Sequence, residues 1–192
     1  MVFIKWLLCG CLSIPMTILG KALCWVLPFF VDEETKRLPK WLDWFMTDDN
    51  DADGDAGHWE RNPGTGKWAT YVRRTKWFWR NTCYGFDREA VGIKCWSTDV
   101  IEFTGDVDVG RKPFRPGANW HHLYRNGKLI GFQWYFVCAW PWGLFPKRCI
   151  RGNFGWKLWA NKTETEDWAQ WTGMCNPFSI GRTRCVMSRR HR

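Results

Sequence analysis

The chain has 192 residues, which suffices for one globular domain and an appended segment but excludes two full domains. Its formal net charge of +9 and its 17 tryptophans are both unusual, and Trp is typical of protein interfaces, membrane–water boundaries or a core of large aromatics. The nine cysteines include no Cys-x-x-Cys spacing, which argues against zinc ribbons and dithiol redox motifs and favours mostly reduced, buried thiols.

An apolar segment opens the chain, running from Val2 to Val31 with two lysines and two prolines. At about 1.5 Å per residue, a helix over residues 6–31 would cross a hydrocarbon core of about 30 Å with some tilt. Lys21 and Pro15 oppose a regular span, since a cation at mid-membrane costs about 2.5–3.5 kcal/mol. The alternatives are a re-entrant hairpin, a buried soluble helix and a cleaved signal, the last lacking a small-x-small cleavage site. We predict that residues 1–31 form a membrane anchor.

A short amphipathic helix over Pro39–Met46 leads into an acidic loop, residues 48–60. Within it, residues 49–60 place acids at positions 1, 3, 5 and 12 of the calcium-loop pattern and Gly54 at position 6. Residues 62–64, Asn-Pro-Gly, exclude the exit helix of an EF-hand. Ca²⁺ is therefore a candidate cofactor of a solitary loop, and a solvated loop docking on the next, basic helix is the alternative. The candidate metal ligands are Asp49, Asp51, Asp53, Asp55 and Glu60.

The next predicted element, Lys67–Arg80, is an amphipathic helix with a basic stripe. The basic excess after the acidic loop could meet anionic lipid, nucleic acid or the acidic loop itself. A Trp-rich loop at residues 140–146 is a second candidate surface. The candidate residues for contact with lipid, a partner or nucleic acid are Arg73, Arg74, Lys76, Trp77, Trp79, Arg80, Trp140 and Trp142.

From about Gly92 the apolar periodicity changes to two, which indicates strands. The predicted strands are residues 91–96, 100–103, 120–125, 128–138, 154–160 and 168–174. Asn126-Gly127 joins the third and fourth as a hairpin, because a type I′ turn requires positive φ at both central residues. The predicted fold class is α+β: a membrane-type helix, one or two amphipathic helices, then an antiparallel sheet of about five strands. Residues 32–192 are predicted to form a single Trp-rich basic domain.

Catalytic motifs are missing from the sequence, which has no G-x-S-x-G, phosphate-binding glycine loop or H-E-x-x-H. His121 and His122 are adjacent, so on a strand they point to opposite faces and cannot share one metal ion. We therefore favour a non-enzymatic protein.

Five different short motifs are distributed along most of the chain. They are WF-x-T-x-D at residues 44–49, DGD at 53–55, RN-x-x-YGF at 80–86, GWK at 155–157 and NPF at 176–178. Together with the apolar N-terminus, these motifs resemble a family of small uncharacterised proteins of tailed bacteriophages. The resemblance implies a phage origin and a host-cell setting, and it transfers no catalytic residue.

These features predict a phage accessory protein associated with the host inner membrane, with its body on the cytoplasmic side because basic residues follow the anchor. It would act by interaction with lipid or an envelope protein, in host-envelope modification or superinfection exclusion. The alternative is a soluble basic protein that binds nucleic acid and buries its N-terminus as a core helix. The sequence leaves the oligomeric state open.

Overall fold

The structure is a computed structural model, and it describes residues 1–109, 115–140, 148–158 and 170–184. Helices precede an antiparallel sheet in the chain, which confirms the predicted α+β class. The chain divides into two compact units. We call Cys11–Gly92 the helical unit, and Met1–Gly10 with Ile93–Arg192 the sheet unit. The first helix therefore contributes residues to both.

The described helices include the three that were predicted, at Val2–Leu23, Lys40–Phe45 and Lys67–Arg80, and two short α-helices that were not, at Ala56–Arg61 and Tyr84–Glu89. In chain order, the described helices are α1 (Val2–Leu23), α2 (Ala56–Arg61), α3 (Lys67–Arg80) and α4 (Tyr84–Glu89), with 3₁₀ helices at Leu27–Phe30 and Lys40–Phe45. The predicted basic helix is confirmed to the residue, since Gly66 at positive φ precedes it and Asn81 ends it. Helix α1 continues through Pro15 and ends at Leu23, eight residues before the predicted end of the anchor at residue 31.

Seven strands lie in the described part of the sheet unit. They are β1 (Ile93–Trp96), β2 (Val100–Gly105), β3 (Gly117–Arg125), β4 (Lys128–Ala139), β5 (Arg148–Trp156), β6 (Gln170–Gly173) and β7 (Cys175–Arg184). A five-stranded antiparallel sheet has the order β2-β3-β4-β5-β7, and β1 pairs with β6. Asn126 (φ 49°) and Gly127 (φ 73°) join β3 to β4, which confirms the hairpin.

One predicted strand has different bounds in the structure, and one strand was not predicted. The strand expected at residues 154–160 is β5, which begins at Arg148 and ends at Trp156. Its first half was not predicted because the polar Arg151 and Asn153 interrupt the apolar pattern of the sequence. Strand β7 was not predicted, because Pro177 removes a backbone donor and argues against a central strand. Its position at the edge of the sheet explains why the proline is tolerated there.

The sheet unit has apolar packing on both faces of its sheet. On one face, the Phe3 and Trp6 rings of α1 lie 4.7 and 5.6 Å from the ring of the buried Phe132, which also contacts the fully buried Trp156. On the other face, Val137 packs in a buried cluster with Val109 and Cys149, and Tyr135 lies against that cluster. Cys149 is disulfide-bonded.

The core of the helical unit is formed by the segments that connect its helices and by one side of α3. Its buried apolar side chains include Leu27, Val31, Leu38, Leu42, Phe45, Met46, Trp77, Phe78 and Phe86. Burying a side chain of this size stabilises a fold by about 1.5–3 kcal/mol. Residues near the two 3₁₀ helices therefore supply much of this core, whereas few large side chains of α1 do.

Candidate functional site

Small residues form the side of α1 that packs on the helical unit. Ser13 is fully buried and donates a hydrogen bond to the Asp87 carboxylate. The Cys83 thiol donates to the Met16 carbonyl oxygen at 2.6 Å, and burial raises the pKa of that thiol to about 12. A Cβ added to Gly20 would lie 2.5 Å from the Thr82 methyl carbon. Spacing of three or four residues puts these positions on one helix face, where small size permits close packing.

The opposite side of α1 exposes large apolar side chains. Their exposed fractions run from 44% at Ile14 to 65% at Ile18. The group comprises Ile4, Leu7, Leu8, Leu12, Ile14, Ile18 and Leu19. A soluble amphipathic helix buries its large apolar residues and exposes polar ones, so α1 has the reverse arrangement. By length and composition α1 could cross a membrane, and only 17% of its most apolar stretch is buried.

Exposed aromatic rings extend this apolar surface beyond α1. Phe29 is 75% exposed and its ring lies 5.1 Å from that of Tyr71, which stacks at 5.5 Å on Trp68, also 75% exposed. The Tyr71 hydroxyl donates to the carbonyl oxygen of Trp25 at 2.9 Å. These contacts join the segment after α1 to the first turns of α3. We define the outer apolar surface within the helical unit: the exposed apolar side chains of α1 at Leu12, Ile14, Ile18 and Leu19 together with Trp25, Val26, Phe29, Phe30, Trp68 and Tyr71.

Lys21, the charge that opposed a membrane anchor, is held by the helical unit. Its ammonium donates to the Trp79 carbonyl oxygen and lies 4.4 Å from the centroid of the Trp79 ring. A cation over an aromatic face is stabilised by the negative face of the ring. The lysine is therefore satisfied by protein groups, and it does not break the outer apolar surface.

The acidic loop docks on α3 through Asp53. Its carboxylate accepts a hydrogen bond from the Arg74 Nε at 2.8 Å and lies 3.7 Å from the Arg73 guanidinium. Arg74 also donates to Glu33 at 2.7 Å, and the two arginines and Asp53 are buried. The arginine holds the pKa of the Glu33 carboxyl down at about 2. The electrostatic docking considered as the alternative to calcium binding is therefore present.

The other candidate metal ligands serve different local purposes. Asp51 accepts the backbone N–H groups of Asp53 and Gly54 at 2.9 and 3.2 Å, which closes the turn. Asp55 caps α2 by accepting the His58 N–H at 2.6 Å. Asp49 and Glu60 are exposed. Across the four described ranges, no group of three or more His, Cys, Asp or Glu side chains is arranged to hold a metal ion.

The predicted basic stripe of α3 is divided between interior and surface. Arg73, Arg74 and Trp77 are buried, because they pair with the acidic loop and fill the core. The Arg73 guanidinium lies 3.4 Å from the centroid of the Trp59 ring. The exposed members are Lys76, Trp79 and Arg80. Of the six candidate contact residues on α3, these three can contact lipid, a partner or nucleic acid without rearrangement.

Of the predicted aromatic loop, Trp140 is half-buried and Trp142 lies outside the described residues. His121 and His122 lie on opposite faces of β3, as the strand geometry predicts, with His121 buried. Burial, and secondarily the neighbouring His122, lowers the pKa of His121 to about 4.

The residues that sequence reasoning did not single out are Trp25, Phe29, Trp68 and Tyr71. Each was seen only as part of an apolar segment or helix. Their exposure depends on contacts between segments distant in sequence, which periodicity alone does not reveal.

A family model described as "Family of unknown function (DUF7338)" matches residues 1–182. No curated protein and no solved structure shows significant similarity to the chain.

Proposed function

Since the chain belongs to the DUF7338 family of unknown function, we propose a function from the site itself: a non-enzymatic accessory protein that binds a membrane through the outer apolar surface. The observation that supports this is the reversed arrangement of α1, with small residues inward and large apolar residues outward. Lipid is the medium in which an exposed stripe of this kind is favourable.

The packing of α1 favours insertion in the plane of the membrane rather than a free span. Between Ser13 and Gly20 one side of the helix is covered by protein, so only the opposite side is available to acyl chains. A helix that lies in the interface buries its apolar face about 5–10 Å deep. The exposed rings of Phe29 and Trp68 suit the same depth, because aromatic residues favour the headgroup region.

The net charge of +9 adds long-range attraction to an anionic membrane surface. Each Lys or Arg close to such a surface contributes about 1 kcal/mol. The motif resemblance to tailed-phage proteins supports the host inner membrane as the location, with the basic body on the cytoplasmic side. The biological role proposed from this location is host-envelope modification or superinfection exclusion.

Vesicle flotation tests membrane binding. The full-length protein is expected to float with vesicles of phosphatidylglycerol and phosphatidylcholine, and the double substitution Ile18→Asp, Phe29→Asp to bind at least about ten-fold more weakly, since charges enter the lipid face. Val107→Asp is the matched control, because Val107 is 62% exposed in a turn of the sheet unit. Wild-type protein that stays with the soluble fraction would overturn the proposal.

Alkaline-carbonate extraction of bacterial membranes distinguishes the two modes of attachment. A protein attached by an in-plane helix is expected to be released into the supernatant, whereas retention in the pellet would favour a membrane span.

Plating of unrelated phages on susceptible bacteria that express the protein tests the exclusion role. A lower plating efficiency with wild type than with the double variant supports this role, and equal plating contradicts it.

Nucleic-acid binding and calcium binding stay predictions. A salt-dependent mobility shift of labelled DNA that is weakened by Lys76→Ala and Arg80→Ala would favour the first. Calorimetric titration decides the second, because equal heats from wild type and Asp51→Ala would end the calcium hypothesis for the loop.

A further inference from the structure

The helical unit contains a cleft of about 250 Å³ lined by residues of the 3₁₀ helix Lys40–Phe45, of α4 and of the segments beside them. Two of the short sequence motifs meet there, WF-x-T-x-D from residue 44 and YGF from residue 84. Gly85 makes the close approach possible, because a Cβ at this position would clash with the Asp43 carbonyl oxygen and lie 3.1 Å from the Trp44 Cα. The shape of the cleft therefore depends on that glycine.

Three cations and three carboxylates line this cleft: Arg37, Lys40, Arg88, Asp43, Asp48 and Glu89. Arg88 pairs closely with Asp48, but two other pairs are loose, with nitrogen–oxygen distances of 3.5 Å for Arg37–Asp43 and 3.6 Å for Arg88–Glu89. Exposed pairs of this kind are worth about 0–1 kcal/mol, so a ligand can replace them at little cost. Among the described residues, Lys40 has no carboxylate within ion-pair distance.

We propose that the cleft binds the phosphoethanolamine headgroup of a membrane phospholipid, with its phosphate on the cationic side chains and its primary ammonium on the carboxylates. This inference rests on the proposed membrane-binding function. A zwitterion matches the balanced set of charges better than a simple anion, which would meet three carboxylates. The ammonium carries three N–H donors, and carboxylates accept them in charge-assisted hydrogen bonds.

The neighbourhood of Lys40 connects the cleft to the outer apolar surface. The next residue, Trp41, is 71% exposed, and its ring lies 5.8 Å from that of Phe30, which belongs to that surface. Trp44 contributes one exposed ring to the cleft wall. A single ring is not the aromatic cage that recognises a quaternary ammonium, so ethanolamine is preferred over choline.

Binding to two sets of vesicles tests the headgroup preference. Both sets contain the same fraction of phosphatidylglycerol, and the remainder is phosphatidylethanolamine or phosphatidylcholine. Wild type is expected to bind the ethanolamine vesicles about ten-fold more tightly, the effect of roughly one charge-assisted hydrogen bond. Lys40→Ala and Asp43→Asn are expected to remove the preference while membrane binding persists. Lys94→Ala, an exposed lysine of the sheet unit, is the control and should keep the preference.

The outcomes separate this inference from the proposed function. Equal binding to both vesicle sets overturns the headgroup site and leaves membrane binding intact. If no vesicle is bound, the proposed function fails, and calorimetry with soluble glycerophosphoethanolamine decides the cleft: a heat abolished by Lys40→Ala supports the site, and no heat overturns it. Inorganic phosphate that gives the same Lys40-dependent heat would overturn recognition of the ammonium.

Discussion

At the scale of single residues, Asp53 is a buried acid on whose charge the helical unit depends. It neutralises two buried arginines of α3, Arg73 and Arg74; among the residues that the structure describes, only Arg74 has a second carboxylate partner, Glu33. Removing one partner of a buried ion pair leaves a charge without compensation, which costs about 3–5 kcal/mol. We expect Asp53→Asn to lower the free energy of unfolding by an amount near the lower end of that range, measured by urea denaturation in mild detergent.

The matched control is Asp49→Asn, four residues earlier in the same loop. Asp49 is exposed, so its substitution is expected to change stability by less than about 0.5 kcal/mol. Equal effects of the two substitutions would show that the Asp53 pairing does not stabilise the unit.

His121 gives the sheet unit a dependence on pH. Burial lowers its pKa from 6.5 to about 4, so below pH 6.5 the unfolded chain takes up a proton that the folded chain does not. Stability is therefore complete above pH 6.5 and falls as the pH drops toward 4, by roughly 3 kcal/mol at most. His58, whose pKa burial also lowers, acts in the same direction.

Urea denaturation between pH 4 and pH 7.5 measures this loss. His121→Gln is expected to flatten the pH profile and to leave the share of His58 and, toward pH 4, that of carboxyls with a lowered pKa such as Glu33. An unchanged slope in this variant would contradict the assignment to His121.

At the scale of elements, the sequence correctly predicted the features that depend on a few neighbouring residues. The Asn126-Gly127 turn and the bounds of α3 depend on positive φ and on helix termination, both of which are readable from a few residues. The burial of Arg73 and Arg74 was not readable in this way, because it depends on Asp53 and Glu33, more than twenty and forty residues distant from Arg74. Periodicity in the sequence shows which residues share a helix face, but contacts with other segments decide whether that face is buried.

The candidate site, too, was predictable from the sequence only in part. The apolar character and length of α1 were evident from composition, and the outer apolar surface includes residues predicted as the anchor. Which side of α1 meets protein was not evident, since small residues such as Ser13 and Gly20 face inward only because Asp87 and Thr82 lie opposite them. The cleft, too, depends on the approach of two motifs about forty residues apart.

At the scale of the whole molecule, apolar surface and net charge should contribute separately to membrane binding. The charge of +9 acts through solvent, where salt reduces its range from about 30 Å at 0.01 M to about 8 Å at 0.15 M ionic strength. Burial of the outer apolar surface is not screened by salt. Affinity for vesicles with phosphatidylglycerol is therefore expected to fall with rising salt and then level off at a value above zero. Flotation across a salt series, with neutral phosphatidylcholine vesicles as the matched control, measures both parts. Binding that salt abolishes completely would mean that charge alone holds the protein on the membrane, and the apolar surface would then need another partner.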